Sequence, residues 1–411
     1  MLVGKQEHEL PEARRGYPHA APLDRWNFIF KDFRECGYVT LFSEDEAWVN
    51  AFHYRLHGFK DPPADKYVRP WWIAVARYIW ENKKGSVSCD FELGLAYLKD
   101  FLHEYQDQPT FSYTISSALT HSEPARIGLV DSDINRFLGS LKETGYANNS
   151  IVIVHGDHGN RLSAFRTSIQ GKLEERLPFV SVTVPPWFKT AYPGFYRNLG
   201  ANTDVLTTYY DIYATFKHIL SGLDEGKSPS AHKFGTSLFS DIVELNRTCK
   251  QAGIDEHWCP CLTFTDVDVE DSIVQTISMK MVEGINERLL KYNNSKELCS
   301  QLRVDSVLRA SKTLPNSKVQ QYEKTLRSSS CDNCDIKLNS KFNATEIKYE
   351  IVFKVQPSNA VFEASGEFNM ETKRITLNDN VSRLNMYGNE PDCIAKELPY
   401  LRAFCFCKKI G

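Results

Sequence analysis

The stretch SIVIVHGDHGNRLSAFRTSIQGKLEERLPFVSVTVPP, Ser150–Pro186, decides how the fold of this 411-residue chain is interpreted. It begins with Ser150–His155, an apolar run rich in β-branched residues, which is typical of a strand buried on both faces of a parallel sheet. Asp157 and His158 follow between two glycines. Open α/β sheets bind ligands beyond the carboxyl ends of their strands, so we predict that this pair, the Asp-His motif, binds a metal.

The residues before the motif predict a βαβ unit. Thr110–Ser116 is a strand candidate, and apolar residues between Ile127 and Leu141 recur with the 3.6-residue period of a helix that ends at Gly145. The unit Thr110–Gly156 would therefore have parallel strands joined by a right-handed crossover.

A shared sheet edge would gather side chains that are distant in sequence. Tyr38–Phe42 predicts another strand, with Glu44 and Asp45 directly after it, and His121 follows the strand candidate that ends near residue 116. Parallel strands have their carboxyl ends at one edge, so we predict that these three side chains line the same edge as the Asp-His motif. The acids have an alternative role at a helix N-terminus, where the helix dipole favours negative charge.

Cations follow the motif along the chain. Arg166 and Lys172 could contact an anionic ester, because positive groups and a metal stabilise the charge that develops on transferred phosphoryl or sulfuryl oxygens. The alternating charges of Gly171–Arg176 also fit an ordinary solvated face. Further on, Phe179–Val184 predicts a strand, and Thr203–Leu220 predicts a core helix with Thr203 as its N-cap.

Composition limits the class of protein. The formal net charge of -3 and the pI near 6.4 argue against a nucleic-acid partner. The longest apolar run, Trp71–Trp80, is about half of the roughly 20 residues that a membrane span needs, so we expect no membrane span in this chain. No sequence feature predicts an oligomeric state.

Cysteines and glycosylation sequons predict an oxidising location. Nine of the eleven cysteines lie beyond residue 248, and Asn-x-Ser/Thr sequons occur at Asn148, Asn246, Asn293, Asn343 and Asn380. This combination is typical of a secreted or lumenal protein with disulfides. We therefore expect a signal or anchor upstream of Met1.

The cysteines have a second interpretation. His257, Cys259 and Cys261 with the pair Cys331 and Cys334 could bind zinc. Disulfides are favoured because sequons lie on both sides, and Cys36 is expected to be the unpaired, buried thiol.

The remaining patterns define two domains. Asp24–Cys36, Phe91–His103 and Val267–Tyr292 predict helices, and Thr345–Val355 with Ala360–Phe368 predicts a strand pair. We predict an α/β domain over residues 1–245 and a Cys-rich α+β module over residues 246–411.

Several blocks in this order resemble the alkaline phosphatase superfamily, and within it the sulfatase-like proteins grouped as domain of unknown function 229. The blocks are GYVTLFSEDEAW, GFKDPPADKYVRP, the His121 loop, HGDHGNRLSAFRTSIQGKLEERLPFVSVTVPPWF, FGTSLFSDI, RTCKQAGIDEHWCPC and a C-terminal end like VSRLNMYGN…CI…LRAFCFCKK. The resemblance implies a three-layer α/β/α sulfatase-like domain and an extracellular or membrane-anchored location.

The resemblance also implies site roles. The residues at the positions of Asp157 and His158 bind a divalent metal such as Zn, Ca or Mn, and a histidine in the place of His121 contacts the substrate oxyanion. The substrate would be an anionic ester, such as a sulfated or phosphorylated glycan. Sulfatases carry Lys and His where Glu44–Glu46 stand here, which argues against sulfate-ester specificity.

The superfamily pattern begins with a metal-binding Asp and a Thr, Ser or modified Cys nucleophile shortly before a segment like Leu2–Lys5. This chain starts after both positions, so we expect an N-terminally incomplete member with no catalytic nucleophile and a weakened or lost metal site. Its function is then an ester hydrolase in the complete protein. The alternative is an inactive relative that binds glycans or anions.

Overall fold

The computed structural model describes residues 1–82, 87–121, 124–223, 232–240, 243–261, 264–313 and 346–408. The chain forms two compact units, which are described separately. Unit 1 comprises Met1–His155, Phe179–Thr203 and Thr207–Val243, and unit 2 comprises Gly156–Pro178, Asp204–Leu206 and Glu244–Gly411. The predicted domain boundary at residue 245 stays a prediction.

Unit 1 is a mixed α/β structure. Its helices are α1 (Ile29–Glu35), α2 (Arg69–Asn82), α3 (Val87–Glu104), α4 (Asp131–Glu143), α6 (Phe188–Ala191), α7 (Pro193–Ala201) and α8 (Tyr209–Leu220). Its strands are β1 (Val39–Glu44), β2 (Lys66–Tyr67), β3 (Thr110–Ile115), β4 (Val152–His155) and β5 (Val180–Thr183).

A three-stranded parallel sheet with the order β2-β1-β3 lies in unit 1, so the predicted parallel strands β1 and β3 are confirmed. Their register pairs Glu44 with Ile115, which brings both carboxyl ends to one edge. Leu41 packs in one core with Trp72, and Phe42 packs in another with Phe30. Burial on both faces is what a central parallel strand requires.

The βαβ prediction fails at β4. In the described residues, β4 pairs antiparallel with β5, in a separate two-stranded sheet with Val152 opposite Thr183 and His155 opposite Val180. All four β4 residues are only half-buried, and Val180 is exposed. A β-branched run predicts a strand, but its partner depends on tertiary contacts that the run does not encode.

Two predicted helices of unit 1 begin later than expected. The apolar period from Ile127 belongs first to a 3-10 turn, Pro124–Val130, and α4 starts at Asp131. Thr208, not Thr203, caps α8, and its side chain forms a capping box with Asp211. A box satisfies two orphan amides, whereas a lone Thr satisfies one, so the later residue is the stronger start signal.

Unit 2 is built on an antiparallel sheet. Its helices are α5 (Ile169–Arg176), α9 (Ser272–Leu290) and α10 (Asn293–Leu298), and its strands are β6 (Thr265–Val267), β7 (Arg303–Thr313), β8 (Glu346–Gln356), β9 (Val361–Asn369) and β10 (Ile375–Arg383). The strand order is β10-β9-β8-β7-β6. The predicted helix and strand pair correspond to α9, β8 and β9, while β6, β7 and β10 lacked a clear sequence signal.

The two faces of this sheet differ. One face forms the core with α9, in which Ile277 and Ile285 pack against Ile351 and Phe353. The other face carries buried polar residues, including Glu350 and Glu363. Buried charges need partners, and the segment Gly156–Pro178 supplies them, as described below.

Disulfides confirm the favoured interpretation of the cysteines. The bonds join Cys249 to Cys259, Cys299 to Cys405, and Cys393 to Cys407. Cys261 and Cys36 are free, but Cys36 is exposed and not buried as expected, because it directly follows α1 on its solvent side. Cys331, Cys334 and the sequon at Asn343 lie outside the described residues. Within those residues, no helix is long and apolar enough to cross a bilayer.

Candidate functional site

Asp45 organises the loop at the carboxyl edge of the parallel sheet. Its carboxylate accepts hydrogen bonds from the Ser116 hydroxyl at 2.7 Å and from the backbone amides of Ser117 and Ala118 at 2.7 and 3.1 Å. These amides belong to the loop after β3 that leads to His121. Asp45 therefore fixes the course of this loop through its side chain.

Glu44 also hydrogen-bonds to this loop, from a buried position. It is 5% exposed, and its carboxylate accepts from the Ser117 hydroxyl at 3.1 Å and from the amide of Ala51 at 2.9 Å. The amide of His121 donates to the carbonyl of Ser117 at 3.1 Å, and the residue itself is exposed. In unit 1, Glu44 and Asp45 thus both hydrogen-bond to the loop that carries His121.

Two further acids, Glu46 and Asp90, interact with the charge of Asp45. Burial and the charge of Asp45 raise the pKa of Glu46, while His121 acts in the opposite direction. Burial, followed by the charges of Asp45 and Glu46, raises the pKa of Asp90. Perturbed carboxyl groups that face each other are frequent in functional sites. Asp90 comes from α3, so no local sequence pattern links it to the edge.

The Asp-His motif in unit 2 has a defined local geometry. Asp157 and His158 expose 80% and 39% of their side chains, and the carboxylate Oδ2 lies 3.4 Å from the ring Nε2. The ring Nδ1 lies 2.7 Å from the carbonyl oxygen of Gly159. A carbonyl oxygen only accepts, so Nδ1 donates this hydrogen bond, and the tautomer with its single proton on Nδ1 leaves a lone pair on Nε2.

Gly159 anchors the motif to the segment that follows it. Its amide donates to the carbonyl of Glu175 at 3.0 Å, and a Cβ at this position would lie 2.2 Å from the carbonyl oxygen of Glu174. Only glycine permits this approach. Among the described residues, none donates a hydrogen bond to the buried side-chain oxygen of the next residue, Asn160.

Arg166 and Lys172 take part in a network of buried charges, here called the ion network. Its members in unit 2 are Arg166, Lys172, Glu175, Arg176, Arg309, Glu350 and Glu363. Arg166 is fully buried, forms an ion pair with Glu175, and donates to both carboxylate oxygens of Glu363 at 2.9 and 3.0 Å. Lys172 lies 2.5 Å from a carboxylate oxygen of Glu350.

Burial favours the neutral forms of Lys172, Glu350 and Glu363 in the ion network, and the opposite charges of their partners shift each pKa in the other direction. Burial would raise the pKa of Glu363, but the hydrogen bond from Arg166 and the charges of Arg176 and Arg166 lower it to about 2. Burial lowers the pKa of Lys172 to about 8 although Glu350 opposes this. Burial and the charge of Glu363 raise the pKa of Glu350. Glu363 is the firmly ionised carboxylate of the network.

The candidate residues fall into two groups. Glu44, Asp45 and His121 belong to unit 1, whereas Asp157, His158, Arg166 and Lys172 belong to unit 2. That all of them share one sheet edge, and that Arg166 and Lys172 contact a substrate, stay predictions. The carboxylate partners of these two cations could not be recognised from sequence, since Glu363 follows Arg166 by 197 residues.

Fold and site define a mixed α/β protein with a parallel three-stranded sheet and a disulfide-bonded C-terminal part. The model of a family described as a protein of unknown function, DUF229, matches residues 1–308 of the 411. The chain belongs to this family. A search of curated proteins finds no match.

Proposed function

We propose that this protein is an extracellular, metal-dependent phospho- or sulfo-ester hydrolase of the alkaline phosphatase superfamily. In this proposal, residues 1–245 form a three-layer α/β/α domain and residues 246–411 a Cys-rich module. The observation that supports the proposal is that the neighbouring side chains of Asp157 and His158 are both exposed. The Nδ1 of His158 contacts a carbonyl, which leaves Nε2 available to bind a cation.

The geometry of the pair fits a divalent ion such as Zn, Ca or Mn. Two zinc bonds of about 2.1 Å at a tetrahedral angle place their ligand atoms roughly 3.4 Å apart, and the Asp157 Oδ2 and His158 Nε2 lie 3.4 Å apart. The contact of Nδ1 with a carbonyl is the usual support of a metal-binding histidine. The unsatisfied oxygen of Asn160 is a further acceptor close by in the chain.

Each residue has a distinct proposed role. Asp157 and His158 would hold the ion, which when bound polarises an ester oxygen and offsets the charge that develops on it. His121 would donate a hydrogen bond to the substrate oxyanion. Glu44 and Asp45 would act on the substrate indirectly, through the loop that carries His121.

One observation favours a second candidate, an inactive relative that binds glycans or anions without turnover. Arg166 and Lys172, the cations expected to contact an anionic ester, both have carboxylate partners and are at most 2% exposed. Cations already paired in this way stabilise a new negative charge poorly.

The double variant Asp157→Asn/His158→Ala tests the metal-binding step. We expect it to lose the bound divalent metal and any hydrolysis of p-nitrophenyl phosphate or sulfate, because both ligands are replaced. Elemental analysis of the purified full chain and an absorbance assay measure the two effects. His103→Ala/Asp107→Asn is the matched control, since both residues are exposed and lie far from the Asp-His motif in the sequence.

The outcomes separate the two candidates. Metal at the parental level in the double variant contradicts the proposed site. Metal that depends on the pair supports the metal-binding step for either candidate, and ester hydrolysis by the parent protein would contradict the inactive relative.

A further inference from the structure

A free thiol lies beside a disulfide in unit 2. Cys249 and Cys259 are bonded, while Cys261 is a free and partly buried thiol. The three sulfur atoms all lie within 4.8 Å of one another. Cys261 is separated from Cys259 by Pro260 alone, so its thiol stays close to the bond.

We propose that Cys249 forms an exchangeable disulfide, with Cys259 as one partner and Cys261 as the other. The Cys261 thiolate attacks the sulfur of Cys249, the new bond forms, and the bond to Cys259 breaks. Cys259 leaves as a thiolate with the electron pair and takes up a proton equivalent to the one that Cys261 released. The number of disulfides is unchanged, so the step needs no oxidant or reductant.

The two pairings are similar in chain entropy. The bond between Cys249 and Cys259 joins residues that are 10 positions apart in the sequence. A bond between Cys249 and Cys261 closes a loop that is longer by the two residues Pro260 and Cys261. Such a change alters the probability of loop closure only by roughly 1.3-fold. Packing favours neither form strongly, because all three cysteines belong to one apolar cluster with Leu206 and Ala252.

The exchange would act on the ion network through the turn Glu256–Trp258. This 3-10 turn directly precedes Cys259. In it, His257 contacts the hydroxyls of Ser365 and Ser382, and the Trp258 ring lies 5.4 Å from the guanidinium carbon of Arg176. The bond to Cys259 restrains the end of this turn. A bond to Cys261 moves the restraint two residues downstream and loosens the turn.

Alkylation of the folded 411-residue chain tests the proposal. The protein is treated with iodoacetamide at pH 8, quenched with acid and digested, and fragmentation spectra locate the alkyl group. We expect label on Cys261 in one population and on Cys259 in the other. In Cys261→Ser no exchange can occur, so the label on Cys259 is lost. In Cys259→Ser a bond between Cys249 and Cys261 protects both of these cysteines from alkylation.

Internal controls make the result decisive. Cys299–Cys405 and Cys393–Cys407 also place sulfurs close together but without a free thiol, so none of these cysteines should be labelled. Faster amide hydrogen exchange of residues 250–258 in Cys259→Ser than in Cys261→Ser is expected from the looser turn. Wild-type label confined to Cys261 throughout the time course overturns the proposal. So does labelling of both Cys249 and Cys261 in Cys259→Ser.

Discussion

The His257 ring is buried in unit 2 between two serine hydroxyls, with Nε2 3.0 Å from Ser382 Oγ and Nδ1 3.3 Å from Ser365 Oγ. Burial lowers its pKa to about 4, and the attraction of Glu363 does not offset this because Arg176, Lys172 and Arg166 repel the proton. The ring is therefore neutral in the folded protein at neutral pH. Its two nitrogens bridge hydroxyl groups that can each donate or accept.

His257 makes the stability of this protein depend on pH. The unfolded chain protonates this ring near its ordinary value of 6.5, whereas the folded protein does so only near 4. The contribution of the neutral His257 ring to the free energy of unfolding is thus fully present above pH 6.5, and it is lost as the pH falls toward 4. The loss is at most about 3 kcal/mol, at 1.36 kcal/mol per pKa unit. Urea unfolding of the full chain at pH 7 and pH 4.5 measures it.

The variant His257→Asn isolates this contribution. Glu363 has a lowered pKa and Glu350 a raised one, so their effects on stability have opposite signs and persist in the variant. We expect a smaller loss of stability between pH 7 and pH 4.5 in the variant than in the parent. Equal losses in both proteins would show that His257 does not carry the dependence.

At the scale of elements, the segment Gly156–Pro178 is held on the polar face of the unit 2 sheet by charge. Arg166 and α5, which carries Lys172 and Arg176, pair with Glu350 on β8 and Glu363 on β9. The Asp-His motif stands at the start of this segment and is tied to α5 through Gly159. The sheet therefore sets the position of the motif within unit 2.

Glu363→Gln tests this attachment. We expect a loss of roughly 3–5 kcal/mol in the free energy of unfolding, because the buried guanidinium of Arg166 loses a charged partner. The pair of Lys354 with Asp305 is the matched control, since both side chains are over one-third exposed. Lys354→Gln should cost less than about 1 kcal/mol. Chemical denaturation compares the two, and equal small losses would exclude an essential role for the ion network.

For the whole molecule, disulfides and exposed sequons together favour the secretory pathway as the location. The asparagines Asn148, Asn246, Asn293 and Asn380 are all exposed in the described residues. In contrast, the hydroxyl residues of the sequons at Asn293 and Asn380, which are Ser295 and Ser382, are engaged in hydrogen bonds of the folded unit. Glycan transfer to these two sites would have to precede folding.

Glycosylation gives a direct test of the proposed location. Expressed in secreting animal cells, the protein should lose apparent mass on treatment with an N-glycosidase, because the asparagines of its four described sequons are exposed. Asn148→Gln should remove one glycan, and the neighbouring Asn149→Gln should remove none, since it leaves the Asn148 sequon intact. A parent protein with intact disulfides and no mass shift would contradict the proposed location.

Local patterns in the sequence determined several elements of this protein. The apolar run before Glu44 and the strand before residue 116 correspond to β1 and β3, and the predicted helix at Phe91–His103 corresponds to α3. Their signals are short-range periodicities, which the chain carries within a few residues. The clustered cysteines likewise predicted disulfides, although not their pairing.

Tertiary structure alone decided the partners of these elements. The run Ser150–His155 predicted a strand, but only long-range contacts pair it antiparallel with β5. The charges of Arg166 and Lys172 fitted a substrate site or a solvated face, and only the tertiary structure shows that they are buried against Glu363 and Glu350 in the ion network. The physical reason is the same in each case. Burial and pairing depend on residues far apart in the chain, and neither periodicity nor composition shows which distant residue contacts a given position.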